Sequence, residues 1–254
     1  MKKAKPQDVF DNFLKAFSLN IKSQLDKKIK QTTDNIENCK KLKSDANKNP
    51  SLSHDDLIKY KEAQDKSIRR YEDQRISFKK KQRLMSDFDS KEIIKMLSED
   101  KDLDELWIDQ SNNSLNFITK MIKSSSRNIG KYRIVLYPTG ESNGMPIFRV
   151  NNIYFGNTRG VYPHWAISGY TCCLGEWHLD FTEVLGRGDI VQFFKLVIHY
   201  LSLSPVQNTY FSNKEDWFDG SYVLEANEIE TKKHYCLLKG VNIPIEDFVQ
   251  IPLS

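Results

Sequence analysis

From Phe10 onward the apolar residues Phe13, Leu14, Phe17, Ile21, Leu25, Ile29, Ile36 and Leu42 recur mostly at spacings of three, four and seven, with Lys, Asp, Gln and Asn between them. That period gathers them on one stripe of an α-helix. The pattern stops at Asn47-Lys48-Asn49-Pro50-Ser51, where Pro50 lacks an N–H and pushes Asn49 out of helical backbone. Ser53 then offers an N-cap, and Asp55-Asp56 a favourable first-turn charge, for a second helix running through Leu57, Tyr60, Ile68 and Tyr71. Two long helices joined by a short Pro-containing turn predict an antiparallel hairpin over residues 1–86. Each stripe has to be covered by the other helix, by the rest of the chain or by a second copy. Weak heptad character points to a homo-oligomer formed through residues 8–86.

A further helical segment is expected around Asp87 to Asp102, with Ile93, Ile94, Met96 and Leu97 on one side. Beyond it the period changes to two. Leu103 to Asp109, Ser114 to Ile122, Tyr132 to Tyr137 and Ile147 to Phe155 are short and rich in β-branched and aromatic residues. Between them lie Asn-Asn, Ser-Ser-Ser-Arg-Asn-Ile-Gly and Pro-Thr-Gly-Glu-Ser-Asn-Gly, which are turn chemistries, so an antiparallel meander of three or four strands is predicted. Gly156 to Gly188 reads as strand-poor. Asp189 then caps a helix from Ile190 to Leu203 whose apolar face holds Phe193, Phe194, Val197, Ile198 and Leu201, and Ser204-Pro205 ends it. Past Pro205, Tyr222-Val223-Leu224 and Tyr235-Cys236-Leu237-Leu238 are candidate strands of an added hairpin. The fold class is therefore α+β, in three parts: residues 1–86, residues 87–206 and an extension over residues 207–254.

Charge sharpens the division. Residues 1–100 carry 24 basic and 17 acidic side chains, and the remainder 14 and 17. Such asymmetry can mark an arm that meets nucleic acid, an anionic membrane or an acidic partner. The densest cluster, Lys79-Lys80-Lys81-Gln82-Arg83, stands beside Phe78, Leu84 and Met85. Because the basic residues of the arm are interleaved with acids, a solvated helical face is the expected reading, rather than a nucleic-acid contact.

Four cysteines, Cys39, Cys172, Cys173 and Cys236, are too few and too scattered for a secreted disulfide framework. Reduced thiols in a cytoplasmic setting are expected. Met1-Lys2-Lys3-Ala4-Lys5-Pro6 leads into amphipathic sequence with no apolar leader. No apolar run approaches the roughly 18 residues of a membrane span, so no membrane partner is expected.

The unusual chemistry lies in the strand-poor stretch. Tyr162-Pro163-His164, then Gly169, then Cys172-Cys173-Leu174-Gly175, set between a meander and an amphipathic helix, resembles the active-site segment of the ubiquitin-conjugating enzymes, which reads His-Pro-Asn, then Gly, then Cys-Leu. The likeness is closer to bacterial and phage-borne relatives of that fold, with Pro-His and Cys-Leu-Gly. It covers residues 88 to 206, and its specific part is about fifteen residues long.

The resemblance implies a domain of that fold and an enzyme that holds a small modifier protein as a thioester on its own cysteine. Its partners would be a ubiquitin-like modifier and the activating enzyme, with no cofactor. By resemblance Cys173 or Cys172 is the nucleophile, and His164 stands where the family has its oxyanion-supporting Asn. Counting forward from His164 and Gly169 favours Cys172; reading back from Leu174-Gly175 favours Cys173. Tyr162 departs from the family's first His, and Trp165 is bulkier than the usual residue. Independently of any family, the chemistry needs an exposed, partly ionised thiol and a donor for the oxyanion.

Other readings of the same residues remain open. A buried Cys is a common small core residue, and a Pro-His turn can serve only to hold a loop. RWD domains, on a related fold, are docking modules without the cysteine's chemistry, so a non-catalytic assembly subunit that binds partners through its helical arm is the rival class. His164, Cys172, Cys173, His178, His234 and Cys236 could converge on zinc, but no Cys-x-x-Cys or His-x-x-x-His pair is present and adjacent cysteines rarely share one ion, so no metal site is assigned. Gly186-Arg187-Gly188 is read as a plain turn before the Asp189 cap.

Overall fold

A computed structural model describes residues 5–48, 51, 53–85, 89–124, 127–139, 146–152, 167–168, 171–172, 174, 177–203 and 248–253. The protein is α+β. It divides into two compact units, Ser18–Ser86 on one hand and Met1–Phe17 with Asp87–Ser254 on the other. The division falls inside the first helix, so the first turns of the arm group with the sheet, which helical periodicity alone does not reveal.

Helix α1 runs over Pro6–Ala46 and α2 over His54–Leu84. Ser53 caps α2 as expected, its hydroxyl accepting from the Asp56 N–H at 3.2 Å. Within the Ser18–Ser86 unit the two helices are antiparallel. Gln82 Nε2 donates to Asp26 Oδ1 at 2.6 Å, Lys28 Nζ sits 5.7 Å from the centre of the Phe78 ring, and Lys43 pairs with Asp65 at 2.6 Å. From Asp26 to Lys43 α1 advances 17 residues while its partner retreats 17 residues, from Gln82 to Asp65. Ile21, Leu25, Ile36 and Cys39 of α1 are buried. α2 has no buried residue; Tyr60, Ile68, Tyr71 and Phe78 are half-covered.

In the sheet-bearing unit Val9, Phe10, Phe13, Leu14 and Phe17 of α1 are buried, with Phe13 and Phe17 stacked at 5.8 Å. Helix α3, Ser90–Ser98, starts at Asp89, whose carboxylate accepts from the Lys91 N–H at 2.9 Å. Gln7 of α1 donates to the Ser90 hydroxyl at 2.7 Å. Ile93 and Leu97, one turn apart, are the buried pair of α3, whereas Met96 is exposed. Ile93 and Leu97, four apart, stack at the centre of the apolar side, and Met96, about 60° from Ile93 and about 100° from Leu97 around the helix, lies at its margin.

The strands are β1 Leu103–Asp109, β2 Ser114–Thr119, β3 Ile122–Ser124, β4 Arg127–Gly130, β5 Tyr132–Tyr137 and β6 Ile147–Asn152. Two short strands, β7 Ile167–Ser168 and β8 Thr171–Cys172, form a hairpin, and β9 Phe248–Ile251 closes the chain's sheet. The main sheet has the order β6-β5-β2-β1-β9, with every neighbouring pair antiparallel. Four of its strands are the expected meander. The run read as a single strand from Ser114 to Ile122 breaks at Lys120, where the Thr119 hydroxyl donates to the Lys120 carbonyl at 2.8 Å and accepts from the Tyr132 N–H at 2.9 Å. Ile122 then begins the side hairpin β3–β4, so the Ser-Arg-Asn-Ile-Gly segment read as a turn is partly strand.

The β1–β2 connection is built by Asp109 and Asn113. Asp109 Oδ1 accepts from the Ser111 N–H at 3.0 Å and its hydroxyl at 2.7 Å, and Asn113 takes φ 51°, a left-handed position that Asn tolerates better than most residues.

Register fixes one apolar face. Leu106 lies opposite Phe117, Phe117 opposite Ile134, Ile134 opposite Val150, and Leu106 on its other side opposite Ile251. All five are buried. Onto Phe117 come Phe194 at 5.2 Å and Phe193 at 6.1 Å, both from helix α5, Ile190–Ser202. Asp189 caps α5, accepting from the Gln192 N–H at 2.9 Å. A helix α4, His178–Arg187, precedes it, within the stretch that the sequence marks only as strand-poor. Phe181, Val184 and Leu185 form its buried side, and Gly188, at φ 74°, ends it with N–H bonds back to the last turn. Gly186 and Arg187 are thus helical, and only Gly188 turns.

The opposite face is also buried at its centre, where Asn116 and Arg133 lie among the apolar Ile118 and Val135. Asn116 and Arg133 are both buried, with Arg133 Nε donating to Asn116 Oδ1 at 2.8 Å. Among the described residues no helix is long and apolar enough to cross a membrane.

Candidate functional site

The connection from β6 to α4 holds the cysteine pair, and the described residues fix its two ends. On the upstream side, β6 is an edge strand of the main sheet, and β8 lies alongside it. β8 pairs with β7 in the register Ile167 opposite Cys172 and Ser168 opposite Thr171. The backbone of Cys172 is thereby held in a two-residue strand at the β6 margin of the sheet.

On the downstream side the chain turns at once. The Trp177 N–H donates to the Leu174 carbonyl at 2.9 Å, closing a tight turn directly after the cysteines. Trp177 leads into α4 without any side-chain cap of its own. Its indole is anchored by α5: the rings of Trp177 and His199 meet edge-on at 5.3 Å, and those of Trp177 and Tyr200 at 6.4 Å. Tyr200 is buried and in turn meets Phe181 of α4 edge-on at 6.0 Å. Such aromatic contacts add roughly 0.5–1.5 kcal/mol each beyond the area they bury. The residues around the cysteine pair are therefore tied to the sheet by β8 and to the helical layer by Trp177.

Of the residues that the motif singles out, Cys172 has its backbone in β8, and Leu174 sits in the turn. His164, Cys173, Tyr162, Pro163, Trp165, Gly169 and Gly175 lie outside the described residues. So do His234, Cys236 and the segments Tyr222-Val223-Leu224 and Tyr235-Cys236-Leu237-Leu238. His178 is exposed at the start of α4. Among the described residues no group of three His, Cys, Asp or Glu side chains is placed to share a metal ion. His199 escaped the sequence reading. Its signal was positional, since it lies in the last turns of an amphipathic helix that an upstream Trp must pack against.

Compared with family models, with curated proteins and with solved structures, the chain matches none.

Proposed function

We propose that this chain is a ubiquitin-conjugating-enzyme-like protein that carries a small modifier protein as a thioester on Cys173 or Cys172. The observation that supports this most is the order of parts along one sheet: a four-stranded antiparallel meander, a short hairpin β7–β8 beside its edge strand β6 with the Cys172 backbone in β8, a tight turn at Leu174–Trp177, and two helices, α4 and α5, over the apolar face. That is the order in which the resembled family presents its cysteine. In the reaction, the cysteine thiolate attacks the thioester carbonyl of the charged carrier and expels the carrier's thiolate. An acceptor amine then attacks the new thioester, forms an amide and releases the cysteine. His164 would donate a hydrogen bond to the oxyanion of the second step, or take the amine's proton if its imidazole is neutral.

A second reading, a non-catalytic docking or assembly subunit, is favoured by α1, a single helix of 41 residues shared by both units. Such an element suits partner binding or self-association of the arm. The two readings separate in one assay. Incubation with a panel of ubiquitin-like modifiers, their activating enzymes and ATP should give a one-to-one adduct that thiol reductant removes. Cys173→Ser or Cys172→Ser, whichever is the nucleophile, should replace it by an adduct that reductant leaves intact. If the adduct persists unchanged in the double Ser variant, the thioester assignment fails, and its absence with every pairing favours the docking subunit.

A further inference from the structure

The hairpin brings together two basic segments that are far apart in sequence. Residues 22–30 of α1 contribute Lys22, Lys27, Lys28 and Lys30, and residues 75–83 of α2 contribute Arg75, Lys79, Lys80, Lys81 and Arg83. The contacts of Asp26 with Gln82 and of Lys28 with Phe78 set these segments side by side. Asp26 is their one acid, against nine bases, and one of its carboxylate oxygens accepts from Gln82 rather than from a cation. The remainder of the hairpin, residues 31–74, holds nine bases and nine acids. All of the unit's excess charge therefore sits in the half away from the interhelical turn. Lys22, Lys27, Lys30, Lys79, Lys80 and Arg83 are exposed. Among the described residues none of the nine is in an ion pair, whereas in the balanced half Lys43 pairs with Asp65 at 2.6 Å.

From this we infer that the open half of the hairpin is a docking surface for the phosphate backbone of a nucleic-acid duplex. Each segment is about 12 Å long, and packed helices lie roughly 8–10 Å apart, so with its side chains the patch covers on the order of 12 by 20 Å. A duplex presents about one phosphate per 1.7 Å of axis, enough for about four to six contacts. A bilayer fits this surface less well. Interfacial helices bind by sinking an apolar face among the lipids, and here the apolar side chains are used inside the hairpin: Ile21 and Leu25 are buried and Phe78 lies beneath Lys28. Among the described residues the exposed large apolar ones near the patch are only three, Leu19 on α1 and Ile76 and Leu84 on α2, too few to make such a face. No base-reading group is identified, so the binding is set by charge and independent of sequence. The inference stands apart from the cysteine chemistry and uses none of its residues.

The test uses the full chain and a labelled 20-base-pair DNA duplex of arbitrary sequence. Affinity should fall with salt at a log–log slope near −4, a loss of about several hundredfold between 50 and 200 mM. The exposed triple Lys79→Glu, Lys80→Glu, Arg83→Glu should weaken binding at least tenfold. Lys40→Glu, Lys41→Glu, Lys59→Glu makes the same change in net charge in the balanced half, on residues that are likewise exposed, and should stay within about threefold of the unmodified chain. Circular dichroism checks that both variants keep their helices. Equal loss in the two triples, a salt slope shallower than −2, or tighter binding to phosphatidylserine–phosphatidylcholine vesicles than to the duplex overturns the inference.

Discussion

Phe193→Ala should destabilise the sheet-bearing unit by about 3–5 kcal/mol, the range for emptying a large buried aromatic site. Phe193 is fully buried and meets three rings from three elements: Phe148 of β6 at 5.1 Å, Phe117 of β2 at 6.1 Å and Phe181 of α4 at 6.3 Å. Truncation leaves each neighbour facing a void, because sheet and helices cannot both move in to fill it. Domains are stable by only about 5–15 kcal/mol, so this one change removes a large fraction of the total. Trp107 and Trp177 lie in this unit, and none of the four tryptophans of the chain is in Ser18–Ser86. Urea unfolding followed by tryptophan fluorescence therefore reads the affected unit directly, and its midpoint should drop sharply. Phe193→Leu keeps much of the volume and should cost less. A midpoint unchanged in the alanine variant would mean that α5 does not seal the apolar face as described.

Asn116→Leu should cost about 2–4 kcal/mol, although it places an apolar residue in a buried strand position. Its carboxamide oxygen accepts the 2.8 Å bond from Arg133 Nε, and its nitrogen donates to the Ser114 carbonyl and hydroxyl, each at 3.2 Å. Arg133 is buried and has a further interaction besides this one. Leucine would take the 2.8 Å acceptor away from a buried guanidinium, and removing one partner of a buried charged hydrogen bond costs more than a hydrogen bond contributes on average. Asn116→Asp retains the acceptor and adds a charge-assisted bond to the guanidinium, so it should be the milder of the two. The same fluorescence titration separates them. Equal midpoints for leucine and aspartate would show that the Arg133 contact carries no weight.

Elements whose identity depends on near neighbours were legible in the sequence. Leu103–Asp109 and Tyr132–Tyr137 coincide with β1 and β5, because both runs are dense in residues that suit a pleated surface and are bounded by turn chemistry. The caps at Ser53 and Asp189 were legible for a similar reason, since a short polar side chain before an apolar period has one favoured use. Helix α4 was missed. It has no side-chain cap and only ten residues, and the Phe181, Val184, Leu185 stripe was overshadowed by the Cys, His and Trp residues before it. β9 is four residues long, and nothing local says that Phe248–Ile251 belongs beside β1, more than a hundred positions earlier.

The face opposite Phe117 shows the same limit. Ser114 and Asn116 alternate with Leu115 and Phe117 as if facing water, yet both are buried. Alternation reports which residues share a face and leaves open what covers that face. The charged half of the hairpin was hidden in a comparable way, because adding up charge along the chain does not show that residues 22–30 lie next to residues 75–83. For the cysteine pair, the motif was legible as spacing, and the structure adds an anchor on either side, β8 and Trp177.

The proposed chemistry depends on one thiol of the Cys172-Cys173 pair being accessible and readily ionised. Native-state alkylation by iodoacetamide, followed across pH and assigned by fragmentation mass spectrometry, measures this without knowing the modifier. Cys39, buried in α1, serves as the internal reference. One cysteine of the pair should react in the folded protein with a midpoint below the ordinary thiol value of about 8.5, while Cys39 reacts only after unfolding. If Cys172 and Cys173 both label as slowly as Cys39 until denaturant is added, the thioester proposal is contradicted.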